Sequence, residues 1–472
     1  MKRLNPKLVA QVAGPLTPEG RKTLGITAWV MTWLITETMP IVATSLLPIL
    51  LFPLLGIAGT REAAAPYANE LVFLFMGGFF LAAALEYWQS HVRLAYQLVL
   101  TVGLTSRRAV LGIMLATTFI SVWISNTATA AMMYPIALAV GALYPSGTEG
   151  DKTRTALMLG VAYAASIGGM GTMISTPPNL VAVGAMRELV GESVTFAEFM
   201  MLGGPIVILL TPVCWFLLSF VCFRSTADLG SGAREMLAQR LAALGPIRGG
   251  EARVLIIFVI TALAWFLRDT KVIGGVTIPG LVAWVPKLSD TGIALGAALT
   301  LFIVTGRTRE GEVRPLMTWQ EARRIPWDIL LFFGGGLSIA SAIEKHGVTD
   351  WLTGQLSGLA GMPPIVIYLG LAVIVVILSE LASNMAVAAM MMPIAVALAR
   401  SLDQPPLVLM MVAAFAASVG FMLPMATPPN TIVFGSGQVS VRNMAKAGFL
   451  LDIAAIVVLV LVLGLLVPVV LG

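Results

Sequence analysis

The chain has 472 residues, of which 58% are hydrophobic and 11% charged, with a net charge of +5 and a mean hydropathy of +0.92. This composition excludes a soluble globular protein and leaves room for about ten membrane spans of roughly 20 residues, with no soluble domain in the remainder. The positive charge fits Lys and Arg retained on cytoplasmic loops and gives no sign of a nucleic-acid partner.

Taken in chain order, residues 1–21 form a basic N-terminal segment that reads poorly as a cleaved signal peptide. Apolar runs then predict spans at 22–37, 39–57, 69–87, 155–174 and 199–223, within a first repeat covering 22–223. A cytoplasmic connector at 224–250 leads to a second repeat, 251–472, with spans at 252–268, 290–306, 327–345, 406–425 and 445–471. Two further apolar stretches, 109–143 and 364–399, are interrupted by small and polar residues and read as re-entrant hairpins. A backbone turn at membrane depth is tolerable only where protein or water covers it. The expected fold is therefore an all-α polytopic membrane protein made of two inverted repeats, each with about five spans and one hairpin.

The repeats rest on words that occur twice. Ser125-Asn126-Thr127-Ala128 in the first hairpin returns as Ser383-Asn384-Met385-Ala386 in the second, and Thr176-Pro177-Pro178-Asn179 returns as Thr427-Pro428-Pro429-Asn430. A shift of 258 residues also aligns Phe75 with Phe333, Gly77-Gly78 with Gly335-Gly336, and Glu86 with Glu344. Polar, helix-breaking words at matching positions of two hydrophobic halves point to a transport site where broken helices meet. A lone Ser-Asn in a membrane helix is more often interhelical glue, and the duplication is what favours a site.

Loop charge supports the inversion. Arg224, Arg234, Arg240, Arg248 and Arg253 mark one connector as cytoplasmic, and Arg307, Arg309, Arg314, Arg323 and Arg324 mark another. His91, Arg93, Arg107, Arg108, Lys152 and Arg154 put the base of the first hairpin on the same side, whereas the flanks of the second are poor in Lys and Arg. The basic N-terminus runs against this count, which places the start of the first span outside.

No Lys or Arg occurs at 109–150, 155–186, 363–399 or 401–441. An anion held there needs another source of positive potential, either half-helix N-termini or bound cations ligated by carbonyl, hydroxyl and amide oxygens. Sodium suits such a set, and the duplication predicts two similar cation sites around one anion site. Cys214 and Cys222, eight residues apart in one apolar run, would lie about 12 Å apart on a helix, beyond disulfide reach. His91 and His346 are the only histidines, which leaves no His-rich zinc site or Ser-His-Asp triad, and the chain does not read as an enzyme. Met132-Met133 and Met390 to Met392 read as packing. Glu37 and Glu380 are intramembrane acids that either take part in coupling or hold a broken helix.

The Ser125-Asn126-Thr127 word, the run from Ala417 through Thr427-Pro428-Pro429-Asn430 to Gly437, and the early Thr36-Glu37-Thr38-Met39-Pro40 resemble the divalent anion/sodium symporter family over nearly the whole chain. The resemblance implies a homodimer in the lipid bilayer of a bacterial inner membrane, with an elevator-type transport domain that carries a small divalent anion together with sodium. It implies substrate contacts at Asn126, Thr127, Asn384 and Met385, with Thr176, Pro177, Thr427 and Pro428 close by. It also implies sodium sites drawn from Ser121, Ser125, Asn126 and Ser175 in one half, and from Ser379, Ala382, Asn384 and Ala426 in the other. Met385 stands where bacterial dicarboxylate carriers of this family usually have a second Thr, and the N-terminus is short of most of the family's first span. The expected activity is sodium-coupled symport of C4-dicarboxylates such as succinate, malate or fumarate. A sodium-independent dicarboxylate exchanger and a sulfate or tricarboxylate carrier stay open as alternatives, with a channel or an intramembrane enzyme more remote.

Overall fold

The computed structural model describes residues 16–36, 38–227, 231–247, 249–273, 276–308, 311–356, 358 and 361–471. Glu37, Arg248, Arg309 and most of the N-terminal segment lie outside these residues. Among the described residues, seven helices are long and apolar enough to cross a membrane: Thr60–Tyr87, Phe196–Cys222, Gly249–Leu267, Trp327–Lys345, Pro364–Leu381, Asn384–Ser401 and Val441–Val470.

The order of elements recurs. The first set runs Pro18–Thr36, a short pair Ile41–Ser45 and Leu47–Leu54, Glu70–Tyr87, Ser90–Val102, the hairpin arms Ser106–Ser121 and Asn126–Gly141, then Thr148–Gly169, Pro177–Val190 and Phe196–Phe216. The second runs Gly249–Leu267, Asp290–Ile303, Trp327–Lys345, Val348–Leu356, the arms Pro364–Leu381 and Asn384–Ser401, then Pro406–Ala417, Pro428–Phe434 and Val441–Val470. Between the sets, helix Ser231–Ala243 packs against Ser90–Val102.

Three predicted spans are shorter than expected. The 39–57 run breaks at Leu46, so its longest continuous stretch, Ile41–Leu54, is two helices. Asp290–Ile303 has 14 residues, about 21 Å against a hydrocarbon core of about 30 Å. The 406–425 run is helical only to Ala417 and then unwinds as far as Thr427. Gly and Pro at 420 and 424 remove the local preference for helix, and the freed backbone groups find side-chain partners described below. The arms of the second hairpin, 18 residues each, are individually long enough to cross, yet they turn back at Ala382-Ser383. Two small antiparallel hairpins that the all-α reading does not include, Lys271–Ile273 with Val276–Ile278 and Thr305–Arg307 with Val313–Pro315, sit in connectors.

Small residues set the helix spacing. A Cβ added to Gly77 would lie 2.7 Å from the Ala294 carbonyl carbon, so Glu70–Tyr87 packs directly on the backbone of Asp290–Ile303. The two hairpin arms of the first half pack on Thr148–Gly169, and those of the second on Pro406–Ala417. Phe75 and Phe333, which the sequence repeat makes equivalent, meet edge to face with ring centroids 5.6 Å apart. Cys214 and Cys222 are free thiols.

Candidate substrate and cation site

Each Ser-Asn word sits at the start of a hairpin's second arm. Ser125 is the N-cap of Asn126–Gly141, and its hydroxyl accepts the Ala128 amide at 3.3 Å. Ser383 occupies the same position before Asn384–Ser401 but makes no such bond, which leaves the first-turn amides of that helix open. Both Thr-Pro-Pro-Asn words begin helices with Pro in the first turn, where the missing amide costs nothing.

Within each half the hairpin tip is fastened to the broken helix in the same way. The Ser121 hydroxyl lies 3.1 Å from Asn126 Oδ1 and 2.6 Å from the Ala165 carbonyl oxygen. Ser379 repeats the arrangement at 2.6 Å from Asn384 Oδ1 and 2.7 Å from the Ala417 carbonyl. A serine hydroxyl has one proton and can donate to only one of these acceptors. The other contact brings two lone-pair oxygens together, a spacing suited to ligands of one hard cation. Ser175 is similar, with its hydroxyl 2.6 Å from the Gly169 carbonyl and 3.0 Å from that of Thr172. Ala382 and Ala426 can offer only backbone carbonyls.

The Asn of each Thr-Pro-Pro-Asn word holds the helix break together. Asn179 Nδ2 donates to the carbonyls of Gly169 and Thr172 at 2.9 and 2.8 Å, and Asn430 Nδ2 donates to those of Gly420 and Leu423 at 3.0 and 2.9 Å. Both asparagines are fully buried. Gly169 is required for a second reason: a Cβ there would lie 2.1 Å from Asn126 Oδ1.

The structure brings the four words together across the halves. The arm Asn126–Gly141 packs on Pro428–Phe434, and Asn384–Ser401 packs on Pro177–Val190, so each Ser-Asn arm meets the other half's Thr-Pro-Pro-Asn helix. Asn126 Nδ2 also points to Thr176 Oγ1 of its own half at 3.5 Å. Asn126 and Asn384 are half-buried, Thr127 and Pro428 exposed, Pro177 half-buried, and Thr176 and Thr427 buried. Met385, by contrast with Thr127, is buried at 7% exposure.

Glu380 accepts the amides of Met422 and Leu423, at 2.8 and 3.0 Å, in the unwound segment after Ala417. Asp452, on Val441–Val470, brings a second carboxyl against it. Sequence reasoning passed over Asp452, although a single acid in an otherwise apolar run is itself a signal. It also left out Asn179 and Asn430, which stand inside the duplicated word.

Residues 9–471 match the family described as "Sodium:sulfate symporter transmembrane region". A sodium-dependent dicarboxylate transporter, SdcS, of Staphylococcus saprophyticus is 38% identical over 466 residues, covering 97% of this chain and 88% of that protein. Its namesake in Staphylococcus aureus is 37% identical over 463 residues, covering 96% and 87%. Among solved structures, the Alcanivorax borkumensis YdaH transporter superposes with a TM-score of 0.57 at 15% identity, covering 94% of this chain and 98% of that one. Neisseria gonorrhoeae MtrF gives 0.56 at 11%, covering 92% and 96%. At these identities the two structures speak for the fold alone.

Proposed function

The chain belongs to the sodium:sulfate symporter family, and we propose that it is a multi-pass cell-membrane carrier that couples inward sodium movement to uptake of C4-dicarboxylates such as succinate, malate or fumarate. The substrate class follows the SdcS relatives. The observation that carries the coupling is the twofold occurrence of one serine proton between two acceptor oxygens, at Ser121 and at Ser379, in a region without Lys or Arg. A sodium ion at each position supplies the missing positive charge. The dicarboxylate then lies between them, against Asn126, Thr127 and Asn384, with the open first turn of Asn384–Ser401 facing it.

A cycle that moves one net positive charge inward gains about 2.3 kcal/mol per 100 mV of inside-negative potential, in addition to the sodium gradient. We further propose two inverted repeats, 22–223 and 251–472, with elevator-type movement of the hairpins and a homodimeric assembly. The edge-to-face meeting of the repeat-equivalent Phe75 and Phe333 supports an axis between the halves. A carrier role, and not a catalytic one, accounts for all the paired words.

The test is uptake of labelled succinate into proteoliposomes under an inward sodium gradient, with equimolar potassium as control. Sodium-driven accumulation is expected. Uptake that requires preloaded succinate and ignores sodium would make the protein an exchanger instead, and no succinate uptake would turn the search to sulfate and citrate. Met385→Thr adds a hydroxyl beside the second site, and one such hydrogen bond is worth about 0.5–1.5 kcal/mol. Succinate half-saturation is therefore expected to change by roughly two- to tenfold, and unchanged affinity and selectivity would remove Met385 from specificity.

A further inference from the structure

A cavity of about 210 Å³, not lined by Ser121 or Asn126, lies where the first hairpin tip meets the start of Gly249–Leu267. Its one end is apolar, formed by Phe119, Trp123 and Phe258, the last two in edge-to-face contact at 5.0 Å. Its other end is polar, formed by Ser90, His91 and the Arg93–Glu251 pair. The charges at this end are already matched. Arg93 donates to both Glu251 oxygens at 2.8 and 3.1 Å and to the carbonyls of Gly245 and Leu244. Burial holds the His91 imidazole neutral, pushing it down to about 4.

Two polar atoms remain unsatisfied. His91 Nδ1 and Ser90 Oγ are buried and meet no partner at hydrogen-bonding geometry, although the Leu85 backbone acts on the imidazole, and such groups are rare in native structures. We propose that this cavity binds an uncharged single-chain amphiphile with a hydroxyl head, its hydroxyl bridging Ser90 and His91 and its chain running toward Trp123. A hydroxyl both donates and accepts, so it satisfies the serine and either tautomer of the imidazole. A carboxylate head is disfavoured, because Arg93 has no uncompensated charge to offer and Glu251 lies beside it. A charged amine would find Glu251 already paired.

The occupant fills the space between the first hairpin tip and Gly249–Leu267, so it opposes their relative movement. This consequence rests on the transport reading, whereas binding itself does not.

The full chain in lipid nanodiscs is titrated with monooctanoylglycerol and read by native mass spectrometry, with octanoate as the charged control. One saturable equivalent of monooctanoylglycerol is expected, with octanoate weaker by about tenfold or more, a difference of about one lost hydrogen-bond set. Leu255→Trp, which fills the cavity, should abolish binding, and Ser90→Ala combined with His91→Phe should weaken it about tenfold by the same reckoning. In proteoliposomes the same compound should lower the maximal rate of uptake with substrate half-saturation unchanged. Absence of a saturable equivalent, equal binding of octanoate, or binding indifferent to the Ser90→Ala and His91→Phe pair would each overturn the proposal. Because binding is read directly, a protein that binds the amphiphile but takes up no succinate refutes the succinate reading and leaves this site standing.

Discussion

Replacing Asn126 or Asn384 with alanine is expected to reduce sodium-driven succinate uptake at least about a hundredfold while leaving the protein folded. Asn126 presents Oδ1 to Ser121 and Nδ2 to Thr176, and Asn384 presents Oδ1 to Ser379. In the proposed cycle that oxygen ligates sodium, and the amide nitrogen donates to a substrate carboxylate. Two interactions with charged partners, at about 1.5–3 kcal/mol each, amount to roughly two to four orders of magnitude. The fold depends little on either side chain, since the hairpin arms are held to Thr148–Gly169 and Pro406–Ala417 along their length. Gly169→Ala should give a similar loss without touching the amide chemically, because its Cβ would occupy the place of Asn126 Oδ1 at 2.1 Å. Uptake and thermal melting measured on the same preparations check this. Normal uptake by both asparagine variants would sink the site assignment.

Glu380→Ala is expected to destabilise the protein by up to about 2–6 kcal/mol, because it strands two half-buried amide donors whose loss costs about 1–3 kcal/mol each when fully desolvated. Those amides, of Met422 and Leu423, belong to the backbone that unwinds after Ala417, where the membrane supplies no water to replace the carboxylate. The same residue follows Ser379, which bonds Ala417 and faces Asn384, so loosening it also loosens the proposed second cation site. Glu380→Gln keeps one oxygen acceptor and separates the two roles that an intramembrane acid can play. If Glu380 only clamps the broken helix, the Gln variant should recover most of the stability and keep its sodium dependence. If the Gln variant folds and melts like the parent but has lost sodium coupling, the carboxylate takes part in coupling. A Glu380→Ala protein as stable as the parent would refute the clamp.

Much of the proposed site rests on duplication, which can be read without any knowledge of contacts. The words around Ser125, Ser383, Thr176 and Thr427 mark four helix starts, and the structure places all four at helix N-termini. The breaks between the paired arms were legible for the same reason, since small polar residues interrupt otherwise apolar stretches. Less visible was the length of individual helices. Hydropathy treats 39–57 and 406–425 as continuous, because apolar side chains look alike whether the backbone is helical or unwound. The interruption at Ser418–Thr427 becomes stable only where Asn430 and Glu380 meet the freed carbonyls and amides.

The sequence alone determined the class of protein, the number of repeats in its words, and the absence of Lys and Arg from the apolar stretches, and hence that an anion held there needs another source of positive potential. Those properties follow from composition and order, which tertiary structure cannot alter. Only the tertiary structure decided which words meet. Each Ser-Asn arm packs against the other half's Thr-Pro-Pro-Asn helix, a pairing between residues hundreds of positions apart that no local pattern encodes. It likewise decided that Thr127 is exposed while Met385 is buried, because equivalent positions in two repeats are given different neighbours when the repeats fold against each other.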